Sequence, residues 1–531
     1  MRKLIIKGTE ISAVRVCAGV SEPEQYAAEE LKKYLSAIGI TVTDAPDAYP
    51  MTTATDPTVG RDGFRMTAAE NGLTVTGGNG RGVIYGVYRM LEKFAGVRYF
   101  LPGLETLGKG DIVIDADYAY TPVFEMRQSD WQCSNNDEDW CLKNGINRRQ
   151  IPKEHGGHIR YGTFVHTMGR LTGVGEPNQP CLSDPEMLSR AIASVREILA
   201  SDPEISIVSV SQNDNRNYCE CEKCAAVDAE EGSHAGTLLR FVNAVADDIR
   251  DDYPDVVIDT LAYQYTRSVP KITRPRENVC IRLCSIECCF SHPLDDMTCE
   301  QNLAFFRDIV AWNEICDRIY IWDYVTDFAH YIPTFPNLSV LRENMRFYAE
   351  HHVRGMYPEG AHNAPLSGEF AELNAYLLAQ LMWNPYMTAV EYDRCIDEFM
   401  AAYYGAGWRY LRAYVNLMES FTKGRHMGIF ELPCNYLDYE KMAAMEETFD
   451  RWWDNAYALA GDRAASVERS HLQWRYLKLE LHPDPVAGRA FYEECRARNI
   501  KWNEWRPVDP EHVDFAQPPS RWAAATAFTM G

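Results

Sequence analysis

The sequence predicts an α/β protein in three parts: a small α/β domain over residues 1–118, a (β/α)8 TIM-type barrel over residues 119–365, and a C-terminal helical region over residues 366–531 packed on the barrel. Three observations predict it. The first part mixes strand-like and helix-like apolar spacing. From Phe124 short apolar runs that end in polar or aromatic residues alternate with helical stretches, and beyond about residue 365 the spacing is helical throughout. A chain of 531 residues is too long for one ordinary core, and its 46% apolar content suffices for two or three.

MRKLIIKGTEISAVRV reads as a first strand, its apolar stretch being too brief for a signal peptide. SEPEQYAAEELKKYLSAIGI places Ala27, Leu31, Tyr34, Leu35 and Ile38 at helical spacing behind a Ser21 cap, with Glu24 three residues on. DGFRMTAAENGLTVTGGNG gives two strands joined by an Asn71-Gly72 turn. RGVIYGVYRMLEKFAGVRYFLPG gives a helix ending near Gly96 and then a short strand. The glycine-rich GGNGRG lacks the context of a dinucleotide fingerprint and reads as a turn before that helix. Eight runs follow as barrel strands: FEMRQSDW, GINRRQ, IRYGTFVHT, ISIVSVSQNDN, VVIDTLAYQYT, VCIRLCSIE, RIYIWDY and VRGMYPEG. A parallel barrel of this kind carries its active site at the C-terminal strand ends. The helical region contains AELNAYLLAQLMW, EYDRCIDEFMAAYYG, YLRAYVNLMESFT and a Trp-rich tail.

A formal net charge of −23 argues against nucleic acid or an anionic membrane as partner, because both would be repelled. No run of about 18 apolar residues occurs to span a bilayer. A neutral oligosaccharide suits the charge, and the 12% aromatic content suits sugar stacking. Without an export signal the chain is expected in the cytoplasm with its 16 cysteines reduced, or outside it if a leader has been removed.

Asp214, Glu287, Asp323 and Glu359 all end different predicted strands, which makes them the candidate catalytic residues. Glycosidic cleavage uses paired carboxyls, one protonated to assist the leaving oxygen and one ionised, and four candidates leave the pair open. His166, Tyr263, Tyr265, Trp322 and Tyr324 lie at the same strand ends as candidate sugar-binding residues. In YCECEKC, Cys219, Cys221 and Cys224 have the spacing of three zinc ligands, with Cys133, Cys288 or Cys289 as a possible fourth. A loop-stabilising thiol cluster or a disulfide accounts for the same spacing. Catalysis itself is expected to need no cofactor, Cys284, Cys288 and Cys289 to pack around a strand end, and His292 to be structural.

These segments also carry a family resemblance. EQYAAEELKKYL with RGVIYGVYRMLEKFAGVRYFLPG resembles the small α/β domain that precedes the barrel in family 20 hexosaminidases and family 67 α-glucuronidases. NGIN, VSVSQNDN with CECEKC, RLCSIECCFSHPL, IWDYVTDF with PTFPNL, YPEG, LLAQLMWNP and YYG resemble domain of unknown function 4838, which includes glycoside hydrolase family 163, from about residue 124 to 405. The resemblance implies a retaining endo-β-N-acetylglucosaminidase acting on complex N-glycans. There the substrate's own N-acetyl oxygen attacks the anomeric carbon, one of the exceptions to the two-carboxylate rule. It makes Glu287 the first choice for general acid/base, with Asp214 and Asp323 polarising the amide or binding hydroxyls. At Glu359 the YPEG segment departs from the relatives' FEQG- or EEG-like pattern. Two other readings stand beside it: an α-glucuronidase-like exo-glycosidase, whose substrate carboxylate would meet Arg127, Arg148 or Arg149, and a carbohydrate-binding barrel without chemistry.

Overall fold

The computed structural model describes residues 2–148, 151–366, 368–505 and 507–522. The N-terminal apolar stretch, expected as one strand, breaks into three. Lys7 and Gly8 take φ of 49° and 78°, which turns Leu4–Ile6 back onto Thr9–Ile11 before the chain enters β1 (Val14–Cys17). β1 joins β2 (Tyr49–Thr55), β3 (Phe64–Ala69), β4 (Gly72–Gly77) and β5 (Tyr118–Tyr120) in a five-stranded mixed sheet of order β5-β3-β4-β2-β1. Ala69 pairs with Gly72, so the β3–β4 turn is Glu70-Asn71, one residue earlier than expected. Helix α1 (Glu22–Ala37) starts with the predicted capping box between Ser21 and Glu24. Helix α2 (Gly80–Met90) starts where the Asn79 side chain accepts from the Gly82 N–H, and the helical run ends at Gly96 with φ 69°. The sheet's last strand reaches Tyr120.

Seven parallel strands form the second sheet: β6 (Met126–Arg127), β7 (Tyr161–Thr163), β8 (Ile207–Ser209), β9 (Val257–Ala262), β10 (Val279–Cys284), β11 (Ile319–Tyr324) and β12 (Gly355–Glu359). Their order, β6-β12-β11-β10-β9-β8-β7, is that of a half-barrel whose first and last strands pair. The expected eighth strand, GINRRQ, does not form among the described residues, and Arg149 lies outside them. Gly145 has φ 77°, incompatible with an extended run. Asn147 instead links the two sides: its N–H donates to the Arg127 carbonyl at 3.1 Å and its carbonyl accepts from the Ile159 N–H at 2.8 Å.

Asp62 locks the two sheets together. Its carboxylate lies 2.9 Å from both Arg81 and Arg127 and accepts from Asn79 and Asn147 at 2.9 and 2.8 Å. Burial alone would raise this carboxyl, but the two guanidinium groups outweigh it and hold it well below the usual range. Arg127, fully buried, spends its remaining N–H groups on the carbonyls of Gly145 and Phe124. It ties the domains together and does not face the substrate side.

The chain then packs helices against the half-barrel, including Ala371–Trp383, Ala389–Tyr404, Trp408–Ser420, Glu446–Leu459 and Ala464–Leu481. Trp383 meets α2, with the Arg89 guanidinium 4.4 Å from its ring centre. After the last long helix, Pro485–Ala497, the chain returns to the strand ends, where the Glu504 N–H donates to the Phe328 carbonyl and the Trp502 carbonyl accepts from the Tyr331 N–H. Among the described residues no helix is long and apolar enough to cross a membrane.

Candidate active site

Side chains alternate across a strand, so β11 sends Tyr320, Trp322 and Tyr324 to one face and Asp323 to the other. Trp322 stacks on Phe164 (5.6 Å between ring centres, 24°) and on Tyr324 (6.4 Å, 27°), and meets Tyr357 edge-on at 4.5 Å. Beneath this aromatic group the buried Arg282–Asp259 ion pair (2.8 Å) fills the half-barrel interior, with the Arg282 guanidinium 5.2 Å from the Phe164 ring centre.

Glu359, at the end of β12, opens onto this group. The Trp322 indole N–H donates to one of its oxygens at 2.8 Å, and His362 Nδ1 stands 3.4 Å from the other. Asp130, which follows β6, lies beside it; its carboxylate accepts from Tyr357 and, at 3.0 Å, from Asn135. On the far side of His362, 3.7 Å from Nε2, is Glu504. Burial is the main reason the Glu359 carboxyl is raised well above its ordinary value; the indole bond opposes this, and the charges of Asp130, Glu504 and Asp214 add to it. Burial likewise pushes Glu504 up to about 7. Glu359 therefore holds its proton to higher pH than a solvated glutamate does.

Opposite stands a second group. Asp214 accepts from the Tyr263 hydroxyl at 3.2 Å, and His166 Nε2 is 4.0 Å away. His166 (φ 53°) and Gln264 (φ 51°) both hold left-handed backbone, and each is pinned: His166 Nδ1 lies 2.9 Å from the Gln212 carbonyl, and the Gln264 amide donates to the Tyr263 hydroxyl at 2.8 Å. The Asp214 side chain is half exposed, whereas Glu359 is buried.

Of the expected site residues, Asp214, Glu359, His166, Tyr263, Trp322 and Tyr324 converge. Glu287 neighbours Tyr324 as Glu359 does, but its carboxylate is engaged 2.8 Å from Arg267, which also binds Asp308 at 2.7 Å. Asp323 does not face the mouth: the Ser285 hydroxyl donates to it at 2.6 Å and it reaches Tyr348 of the surrounding helices, while burial pushes its carboxyl up to about 6. Tyr265 packs against Tyr218 and His234, away from Glu359. Cys284 and Cys288 are buried, and burial pushes both thiols well up, so neither has the character of a nucleophile. Sequence reasoning missed Asp130, His362 and Glu504. The WNEW tail carries no strand signal; backbone bonds to the Phe328–Tyr331 loop, the Asn363 amide on the Glu504 carbonyl and the packing of Trp502 on Tyr476 bring it here.

Three groups of side chains have metal-compatible spacing among the described residues: Asp130, Glu359 and His362; Cys181, Cys219, Cys221 and Cys224; and Cys289, His292, Cys299 and His426. In the first, one Glu359 oxygen already accepts the Trp322 indole N–H and the other faces His362. In the second, the fourth thiol is Cys181, not Cys133, Cys288 or Cys289.

Residues 170–416 match the family model described as domain of unknown function DUF4838, and residues 6–94 match domain 2 of glycosyl hydrolase family 20. No curated protein matches the chain. Among solved structures, the chain is similar to a GH138 enzyme targeting pectin rhamnogalacturonan II (TM-score 0.52, 9% identity, 96% of each chain). It is also similar to a GH115 4-O-methyl-α-glucuronidase with specificity for decorated arabinogalactans (TM-score 0.55, 10% identity, 97% of this chain and 79% of that one). At these identities the likeness is one of fold.

Proposed function

We propose that the protein is a glycoside hydrolase in which Glu359 is the general acid. The observation that carries this is a buried carboxyl with a raised pKa, held by an indole N–H, with the exposed Asp214 side chain among its neighbours. A neutral acid can deliver its proton to a departing glycosidic oxygen, and an ionised partner supports the positive charge that develops on the sugar. The partly exposed Trp322, packed among Phe164, Tyr324 and Tyr357, gives the sugar an aromatic wall. For the substrate we propose a β-linked N-acetylglucosamine in an oligosaccharide of the complex N-glycan type, cleaved with retention. The N-acetyl oxygen attacks the anomeric carbon while Asp214, steadied by Tyr263, orients the amide. The match to family 20 domain 2 supports this reading.

A second reading is favoured by Arg148, whose guanidinium lies 4.4 Å from the Tyr161 ring centre and 5.5 Å from that of Phe164, where a uronic acid carboxylate could reach it. The surrounding acids oppose an anionic sugar, so the neutral substrate is preferred. The test is mass spectrometry of products from a desialylated biantennary N-glycan and from an aldobiouronic acid, with the wild type, Glu359→Gln and Glu287→Gln. Release of a hexose-N-acetylhexosamine unit by the wild type and Glu287→Gln, but not by Glu359→Gln, is the expected result. Cleavage of the uronic acid alone favours the second reading, and no cleavage of either substrate removes both.

A further inference from the structure

We propose that Cys181, Cys219, Cys221 and Cys224 bind a structural zinc ion that staples two loops at the mouth of the half-barrel. All four sulfurs lie within 4.8 Å of one another, with Cys181 Sγ 3.7 Å from Cys221 Sγ and 3.8 Å from Cys224 Sγ. Four thiolates about 2.3 Å from a tetrahedral zinc ion stand about 3.8 Å apart. A disulfide would require about 2.05 Å. Packing of apolar thiols does not explain the cluster either: Cys221 is exposed and Cys181 and Cys219 are half-buried, unlike Cys280 or Cys284 in the core.

The local structure is prepared for anionic sulfur. Cys221 caps the N-terminus of helix α3 (Glu222–Glu231), and its Sγ accepts from the Cys224 N–H at 3.5 Å. The Ser183 hydroxyl lies 3.2 Å from Cys224 Sγ, placed to orient a bound thiolate. With four sulfur ligands no position is open to water, so the ion is structural and not catalytic. Its mechanical effect falls on Asp214. The loop that leads to Cys181 carries Gln179, whose amide donates to the carbonyls of Asn213 and Asn215 on either side of Asp214, while the Asn213 amide donates to those of Val174 and Asn178. Zinc would close this network at its outer end.

A separate observation carries a second site. Cys289, His292, Cys299 and His426 also place their donor atoms within 4.8 Å of one another, with Cys289 Sγ 3.1 Å from His292 Nδ1 and Cys299 Sγ 3.6 Å from His426 Nδ1. A tetrahedral Cys2His2 zinc site has sulfur–nitrogen edges of about 3.5 Å. The backbone is already paired across it: the Phe290 N–H donates to the Met427 carbonyl at 2.8 Å, and the Ser291 hydroxyl donates to the Arg425 carbonyl at 2.6 Å. We infer that a second zinc ion here ties the loop carrying Glu287 to the C-terminal helical region.

Elemental analysis of the purified full chain, reduced and reconstituted with zinc under argon and then desalted, tests both. About two zinc ions per chain are expected, about one in Cys221→Ser and about one in His426→Ala, both exposed positions chosen so that the fold survives. Cobalt substitution reads the ligand sets independently of folding yield, because the d–d bands of tetrahedral cobalt thiolate lose part of their intensity in each variant. One zinc per chain that is lost in Cys221→Ser but kept in His426→Ala overturns the second site, and the converse overturns the first. No zinc after reconstitution, or zinc content unchanged in both variants, overturns both.

Discussion

Asp62 and Glu359 are both buried carboxyls, and their surroundings push their pKa values in opposite directions. Asp62 sits between two guanidinium groups and two amides, so its charge is fully met and it stays ionised. Glu359 sits among Asp130, Glu504 and Asp214 with no guanidinium or ammonium in contact among the described residues, and burial with these charges raises its pKa. The burial is alike and the company is not. A buried acid whose charge is compensated belongs to the architecture, whereas one left uncompensated beside an open mouth is available to give up a proton.

The sharpest break of this comparison is to neutralise each acid. Glu359→Gln should lower turnover of a cleaved glycan by about 10²–10⁴-fold while leaving the melting temperature unchanged or higher, since it removes a proton donor and no ion pair. Kinetics and calorimetry on one preparation check both halves. Asp62→Asn should do the reverse, costing about 3–5 kcal/mol of stability by leaving Arg81 and Arg127 buried without a countercharge, while kcat of the folded fraction is kept. Asp323 offers an intermediate case. Its folded carboxyl is raised from 3.8 to about 6, so the folded state holds its proton more tightly than the unfolded one. Stability is then lost as pH rises from about 4 to about 6. Asp323→Asn should remove that decline, a gain of about 1–3 kcal/mol at pH 7 and none near pH 4, measured by denaturant unfolding. The smallest effect is expected at Glu504. Replacing it with Gln removes a negative neighbour, lowers the Glu359 pKa, and should move the alkaline limb of the kcat/KM profile to lower pH by about one unit at most.

Much of the architecture was legible because it rests on local chemistry: the Ser21 capping box, the Gly96 terminus and seven of eight strand runs follow from residues a few positions apart. Among its described residues GINRRQ forms no strand, because Gly145 takes a left-handed backbone and Asn147 bonds to Arg127 and Ile159, a commitment that no apolar pattern reveals. The site was half legible. Trp322, Asp323 and Tyr324 are consecutive, and strand alternation already forbids all three from sharing a face; applying it strictly would have removed Asp323. Glu287 drew attention through its distinctive motif, yet its carboxylate is held by Arg267, which only the fold brings near. Arg127 was read as a substrate contact because its partner, Asp62, lies in the other sheet's domain. The spacing of Cys219, Cys221 and Cys224 announced a ligand set, but Cys181 reaches them from a different loop.

The return of the Trp502–Glu504 segment to the strand ends also has a temporal meaning. Every strand of the half-barrel has been made once Glu359 is in the chain, but the acid network around it waits for a residue 145 positions later. At ribosomal speeds of about 5–20 residues per second that interval is roughly 7–30 s. A nascent chain can thus build its scaffold well before it carries the full group of Glu359, His362 and Glu504, and a chain clipped near residue 500 would keep the half-barrel strands and lose the carboxyl at His362.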